Sequence, residues 1–277
     1  MDLSFVDDYP QIKSVVWCPG TGNNGFNSLG RILNGTVNPS GKAADTFIRD
    51  FTQAPYWNNF GFAIYDNMDE FRIAGNDPYV PGTRPHYVHY VEDIYVGYKY
   101  YETAAEGFID YDSIVQYPFG HGLSYTSFTQ EMGPISERNG SITFDVTVTN
   151  TGSVAGKDVV EVYYNPPYTN GGIEKASANL IAFDKTDMLE PGANQVLTLT
   201  FNVEDMASYD MSGAGGYVLE AGDYIISINR DSHNTIDSQT YTAASDIDYT
   251  NGRSTDQAAP VNLFDFARGE IEYLSRA

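Results

Sequence analysis

The 277-residue chain carries 37 Asp and Glu against 15 Lys and Arg, a net charge of −22, and such a field excludes nucleic acid and anionic membrane as partners. Its length allows one large domain or two ordinary ones, and its single cysteine, Cys18, excludes an internal disulfide and a cysteine-built zinc site. No stretch approaches the ~18 apolar residues of a membrane-spanning helix, and the acidic N-terminus lacks the apolar core of a signal peptide, so a soluble, cytoplasmic chain is expected. The acidic residues are scattered, as on a solvated surface, and the 22 tyrosines suit sugar faces and sheet surfaces equally well.

The first organised segment, residues 11–18, is an apolar run of the kind found in buried strands. The loop Pro19-Gly20-Thr21-Gly22-Asn23-Asn24-Gly25 follows, and then Phe26, Leu29 and Leu33 at helical spacing, with Asn34-Gly35 as the stop. Strand, glycine loop and helix make a βα unit, and ligands in open α/β sheets sit at the carboxyl ends of strands. Thr21, Asn23 and Asn24 are therefore the binding candidates. The loop fits neither the dinucleotide nor the P-loop spacing and holds no lysine, which argues against phosphate. One βα unit cannot close a domain, so neighbouring strands must come from elsewhere and the chain is expected to start partway through a domain.

Alternation over residues 87–101 predicts a strand with aromatics on both faces, covered on both sides or crossing between domains. His86 and His89 invite a metal reading with Asp93 or Glu92, but three apart on a strand the two side chains point to opposite faces. The stretch Tyr117-Pro118-Phe119-Gly120-His121-Gly122-Leu123-Ser124-Tyr125-Thr126-Ser127-Phe128 then separates two kinds of sequence. Its glycines and proline make it either an aromatic-rich interdomain hinge or a ligand-facing loop.

From Ser141 the pattern becomes regular β. Residues 141–149 alternate strictly, and further strands are predicted at 158–164, 178–184, 195–203 and 222–229, separated by Pro166-Pro167, Asn170-Gly171-Gly172, Glu190-Pro191-Gly192 and a glycine-rich turn at 213–216. Short alternating strands over roughly a hundred residues indicate a β-sandwich. Leu219-Glu220-Ala221-Gly222-Asp223-Tyr224 has the form of a sandwich corner closed by a tyrosine.

Three blocks, Val37-Asn38-Pro39-Ser40-Gly41-Lys42, Asp93-Ile94-Tyr95-Val96-Gly97-Tyr98-Lys99-Tyr100-Tyr101 and the stretch from Tyr117 to Tyr125, resemble glycoside hydrolase family 3, the β-glucosidase family. Val148-Thr149-Asn150-Thr151-Gly152-Ser153-Val154-Ala155-Gly156 and Leu189-Glu190-Pro191-Gly192 continue the match into its fibronectin type III-like domain. The resemblance implies α/β followed by all-β. Residues 1–116 would be the C-terminal part of an α/β sandwich domain with an incomplete sheet, 117–128 the interdomain junction, and 129–246 a fibronectin type III-like, immunoglobulin-type β-sandwich. Residues 247–277 would be a tail resembling the connector of bacterial members whose barrel follows.

Family members are retaining glycosidases with an Asp nucleophile on a (β/α)8 barrel and a separate acid/base residue, often a Glu of the α/β sandwich domain. The barrel would need ~250 further residues, and the segment bearing that Glu lies upstream of the run at 11–18. No residue is therefore carried over as nucleophile or acid/base. Retaining chemistry needs two carboxyl groups about 5 Å apart, and neither spacing nor the resemblance selects such a pair. At the glycine loop, Asn23 and Asn24 stand where the family typically has a turn with Gln or Glu. His121 replaces the aromatic residue more usual between the junction glycines, and a structural histidine is the favoured reading.

The resemblance implies no cofactor. It implies a β-linked oligosaccharide or aryl glucoside as substrate only together with the missing barrel. The alternative is a noncatalytic module that binds carbohydrate or protein through its aromatic surface. Sugar specificity and oligomeric state stay open.

Overall fold

The computed structural model describes residues 3–20, 22, 25–59, 88, 90–256, 258–259 and 272–277. Four helices are described: α1 (Phe5–Asp8), α2 (Phe26–Leu33), α3 (Tyr98–Ala104) and α4 (Tyr111–Ile114). Strands β1 (Phe47–Ile48) and β2 (Val115–Tyr117) pair antiparallel and close a small core of Ile48, Ala54, Tyr101, Tyr111 and Val115. This is all the sheet that the described N-terminal residues form.

The C-terminal part is a β-sandwich. One sheet runs β12-β11-β6-β7, from β6 (Val159–Asn165), β7 (Asn179–Lys185), β11 (Gly222–Asn229) and β12 (Thr235–Ala243). In the other, β5 (Ser141–Asn150) pairs on one side with β3 (Phe128–Met132) and β4 (Ser136–Arg138), and on the other with β8 (Asn194–Asn202). A third small sheet orders β13 (Ile247–Tyr249), β10 (Gly216–Leu219) and β9 (Ser208–Asp210). Period-two alternation turns Ile142, Phe144, Val146 and Val148 of β5 inward onto Tyr224, Ile226 and Ile228 of β11, all of them buried. The tyrosine corner forms: Tyr224 is 1% exposed and its hydroxyl donates to the Glu220 carbonyl at 2.9 Å.

Two expected elements differ. Residues 11–18 form no strand, and Ile12, Val15, Val16 and Trp17 are exposed. A strand needs a ladder partner for its N–H and C=O groups, and no described residue supplies one. Trp17 makes an edge-to-face contact with Phe47 at 5.7 Å. The helix after it forms as expected, but Phe26 and Leu33 of its apolar stripe are 68% and 66% exposed.

The second difference lies in the stretch read as a strand over residues 87–101, where Tyr87 and His89 fall outside the described residues. Residues 91–94 turn, Gly97 takes φ +62°, and Tyr98 begins a helix. The aromatics at 98 and 101 satisfy a three-residue spacing as well as a mixed alternation, and tertiary packing decides: Tyr101, Glu102, Thr103 and Ala104 are buried.

Candidate functional site

The three binding candidates, Thr21, Asn23 and Asn24, lie outside the described residues, as do His86 and His89. The flanks of the loop are described. Gly22 adopts φ +59°, where a residue with a Cβ is strained, and Gly25 caps α2 with its carbonyl accepting from the N–H groups of Ser28 and Leu29. The loop thus leads into a helix whose exit is bound to the sandwich.

That attachment runs through Asn38. Its side-chain carbonyl accepts from the Ser124 hydroxyl at 3.0 Å and the Tyr125 N–H at 2.8 Å, and its amide donates to the Ala155 carbonyl at 3.1 Å. The Tyr125 hydroxyl donates to the Ile32 carbonyl at the end of α2. Lys42 donates to the Arg230 carbonyl, and Lys185 donates back to the Ser40 carbonyl. The block at residues 38–42 therefore joins the N-terminal part of the chain to the β-sandwich.

Two glycines are required at this joint. Gly120 has φ +81°, and a Cβ there would sit 2.2 Å from a carboxylate oxygen of Glu161; a Cβ on Gly122 would meet the Gly41 carbonyl oxygen at 2.4 Å. Between them His121 stacks on Tyr117 with ring centroids 5.1 Å apart, and burial holds its imidazole below the ordinary pKa. It packs as a neutral structural ring.

Beside the buried Asp231, two further buried carboxylates, Glu102 and Glu161, lie at the same joint. Glu102 on α3 accepts from the hydroxyls of Tyr111 and Ser232, each at 2.7 Å, and pairs with Nδ1 of His233 at 2.8 Å. His233 stacks on Tyr111 with centroids 3.7 Å apart, and the Glu102 hydrogen bond raises its pKa. Glu161 on β6 accepts from the Tyr163 hydroxyl at 2.8 Å, and burial pushes its pKa up to about 7. Tyr98 stacks on Phe119 at 4.5 Å, meets Tyr163 edge-on, and accepts from the Leu180 N–H.

A carboxyl poised near neutrality in a cleft is the usual mark of an acid/base group. Here both carboxylates are engaged at the joint: Glu102 is held by Tyr111 from the N-terminal part and by Ser232 and His233 from the sandwich, and Glu161 fills the space a Cβ on Gly120 would take. Sequence reading did not find them. A signal existed for Glu161, the one charge inside Val159-Val160-Glu161-Val162-Tyr163, an otherwise apolar strand. Glu102 gave none, because its partners lie up to 131 residues away.

The last residues also return to this joint. Tyr95, Tyr100, Ala104 and Phe108 line a cleft of about 190 Å³ together with Leu274 and Arg276. Arg276 lies 4.1 Å over the Tyr168 ring, donates to the Lys175 carbonyl and pairs with Glu106, so it touches α3's exit and the sandwich at once.

Residues 158–232 match the model of the fibronectin type III-like domain. Beta-glucosidase A of Butyrivibrio fibrisolvens is 36% identical over 242 residues, covering 81% of this chain and 26% of the relative. The beta-glucosidase of Ruminococcus albus is 36% identical over 230 residues, 81% of this chain and 21% of the relative. Among solved structures, a beta-glucosidase from Paenibacillus barengoltzii superposes with TM-score 0.71 at 35% identity, over 89% of this chain and 25% of that one. Beta-glucosidase 3B from Thermotoga neapolitana, solved with α-D-glucose, gives 0.62 at 33% identity, over 79% and 26%. The chain spans about a quarter of the length of the relatives it matches.

Proposed function

Since the chain carries the C-terminal, fibronectin type III-like region of a β-glucosidase-like family 3 glycoside hydrolase, we propose that it is the supporting part of such an enzyme and turns over no glycoside by itself. In this reading a barrel supplies the nucleophile for retaining hydrolysis at the non-reducing end of a β-linked oligosaccharide or aryl glucoside. The present chain holds the α/β and β-sandwich parts in fixed register beside it. In the same proposal, the loop at residues 20–25 contributes to the sugar site, with Thr21, Asn23 and Asn24 as its contacting residues.

The observation that carries this reading is the contrast in burial between the two parts. The sandwich core is closed, with Ile142, Val146, Val148, Ile226 and Ile228 at 0% exposure, whereas Trp17 and α2's apolar stripe are open to solvent. An apolar run and an amphipathic helix left uncovered are what a sheet looks like without its neighbouring strands.

Reading the genomic DNA on both sides of the coding segment tests the proposal. In-frame sequence, or an adjacent gene, encoding a (β/α)8 barrel is the expected result. Stop codons on both flanks with no barrel-encoding gene beside them would overturn it.

A further inference from the structure

The outer face of the β12-β11-β6-β7 sheet carries a cleft beside the joint, which shares Tyr163, Ser177 and Ser232 with it but leaves Ser227, Asn229, Thr235 and Ser238 to other use. Alternation along β11 sends Tyr224, Ile226 and Ile228 into the sandwich core, which leaves Ser227 and Asn229 on the opposite face. Register places Ser227 between Ser238 of β12 and Tyr163 of β6, and Asn229 beside Thr235. Ser177 and Ser232 come in from flanking segments and complete a hollow of about 230 Å³.

Three features distinguish this hollow from an ordinary gap. Its lining holds no Asp, Glu, Lys or Arg, although the chain has 37 acidic residues, so the surface there is neutral within a strongly acidic field. Its polar groups are hydroxyls and amides: Ser177, Ser227, Ser232, Thr235 and Ser238 with Asn165 and Asn229. Asn229, only 3% exposed, lines it with a side-chain carbonyl oxygen that has no hydrogen-bond partner. A buried acceptor without a donor is uncommon, and a water or a ligand hydroxyl seated in the cleft would satisfy it.

We infer that this cleft binds a neutral, hydroxyl-rich ligand the size of one sugar ring, with the Asn229 side-chain carbonyl accepting from a ligand hydroxyl. A charged ligand would be desolvated against a lining that offers no counter-charge. An apolar one would leave the Asn229 oxygen without a donor. A polyol satisfies both demands, and Ser, Thr and Asn side chains can each act as donor and acceptor toward it. The inference does not depend on the hydrolase reading, since it concerns only residues of the sandwich and of the segment preceding β7.

The test is an NMR titration of the ¹⁵N-labelled chain with glucose, with cellotriose to distinguish a free monosaccharide from the end unit of a chain, and with glutamate as a charged control. Saturable shifts at Ser227, Asn229 and Ser238, with a Kd of about 1–10 mM for one or both sugars, are expected. Ser238→Phe, at an exposed rim position, should weaken binding at least ~10-fold by filling the hollow; Asn229→Ala should do the same by removing the acceptor. An unchanged amide spectrum elsewhere shows that each variant is folded. If neither sugar gives saturable shifts up to about 100 mM, the cleft holds water only and the inference is overturned. Equal binding of glutamate, or sugar binding that survives Ser238→Phe in a folded variant, would overturn it as well.

Discussion

At the scale of single residues, the joint between the two parts is held by polar side chains whose energetics depend on pH. Glu161 is 4% exposed, and burial raises its pKa from 4.5 to about 7. The folded state therefore favours the neutral acid, and the stabilisation is fully present below about pH 4.5 and lost as pH rises through about 7. By linkage the loss totals about 3 kcal/mol. Urea unfolding at about pH 5 and about pH 8 should show this decline, and Glu161→Gln, which stays neutral, should remove most of it. A decline of the same size in the variant would contradict the assignment.

His233 adds a second term of the same sign, because pairing with Glu102 raises its pKa and that contribution also fades as pH rises. Asn38→Ala removes two accepted hydrogen bonds and one donated bond across the joint. It should lower stability by about 1–3 kcal/mol in chemical denaturation, and a change below about 0.5 kcal/mol would show that the block at residues 38–42 does not hold the N-terminal part to the sandwich. Asn38 was visible in the sequence only as part of a family-like block. Its role was not, because its partners at 124, 125 and 155 come from two other segments.

At the scale of elements, what the sequence reveals depends on how completely the chain itself supplies an element's surroundings. The core strands β5, β8 and β11 alternate because one face packs into the sandwich and the other faces outward, whereas β6 shows as an apolar run because it is buried along most of its length. β12 escaped notice because its burial pattern is almost wholly exposed until Ala243, so no apolar period marks it. β3, β4, β9, β10 and β13 are three to five residues long, too short for a period to show. The run at 11–18 misled in the opposite direction: its composition is that of a buried strand, yet burial requires neighbours that no described residue provides.

The same contrast predicts mutational behaviour. Ile226→Ala, in the closed core, should cost about 2–5 kcal/mol in thermal or urea unfolding of the purified chain. Val15→Ser or Val16→Ser, at positions 43% and 46% exposed, should stay within about 0.5 kcal/mol. A large loss at Val15 or Val16 would mean that the run is buried, against the fold described above.

At the scale of the whole molecule, one closed β-sandwich is joined to an uncovered α/β part by a dense polar and aromatic seam. The stretch from Tyr117 to Phe128, legible beforehand as either a hinge or a ligand-facing loop, serves as that seam. Gly120 and Gly122 admit the close approach of Glu161 and Gly41, and Phe119 stacks on Tyr98. Glu102 and Glu161 are each held there by hydrogen bonds to neighbouring side chains. On the reading proposed above, catalysis belongs to residues outside this chain.

The most direct test of that claim is the steady-state hydrolysis of an aryl β-glucoside by the purified 277-residue protein. The account predicts no release of the aryl alcohol above the rate in buffer, with Glu102→Gln and Glu161→Gln indistinguishable from the parent. Robust turnover that a single carboxylate substitution abolishes would contradict it.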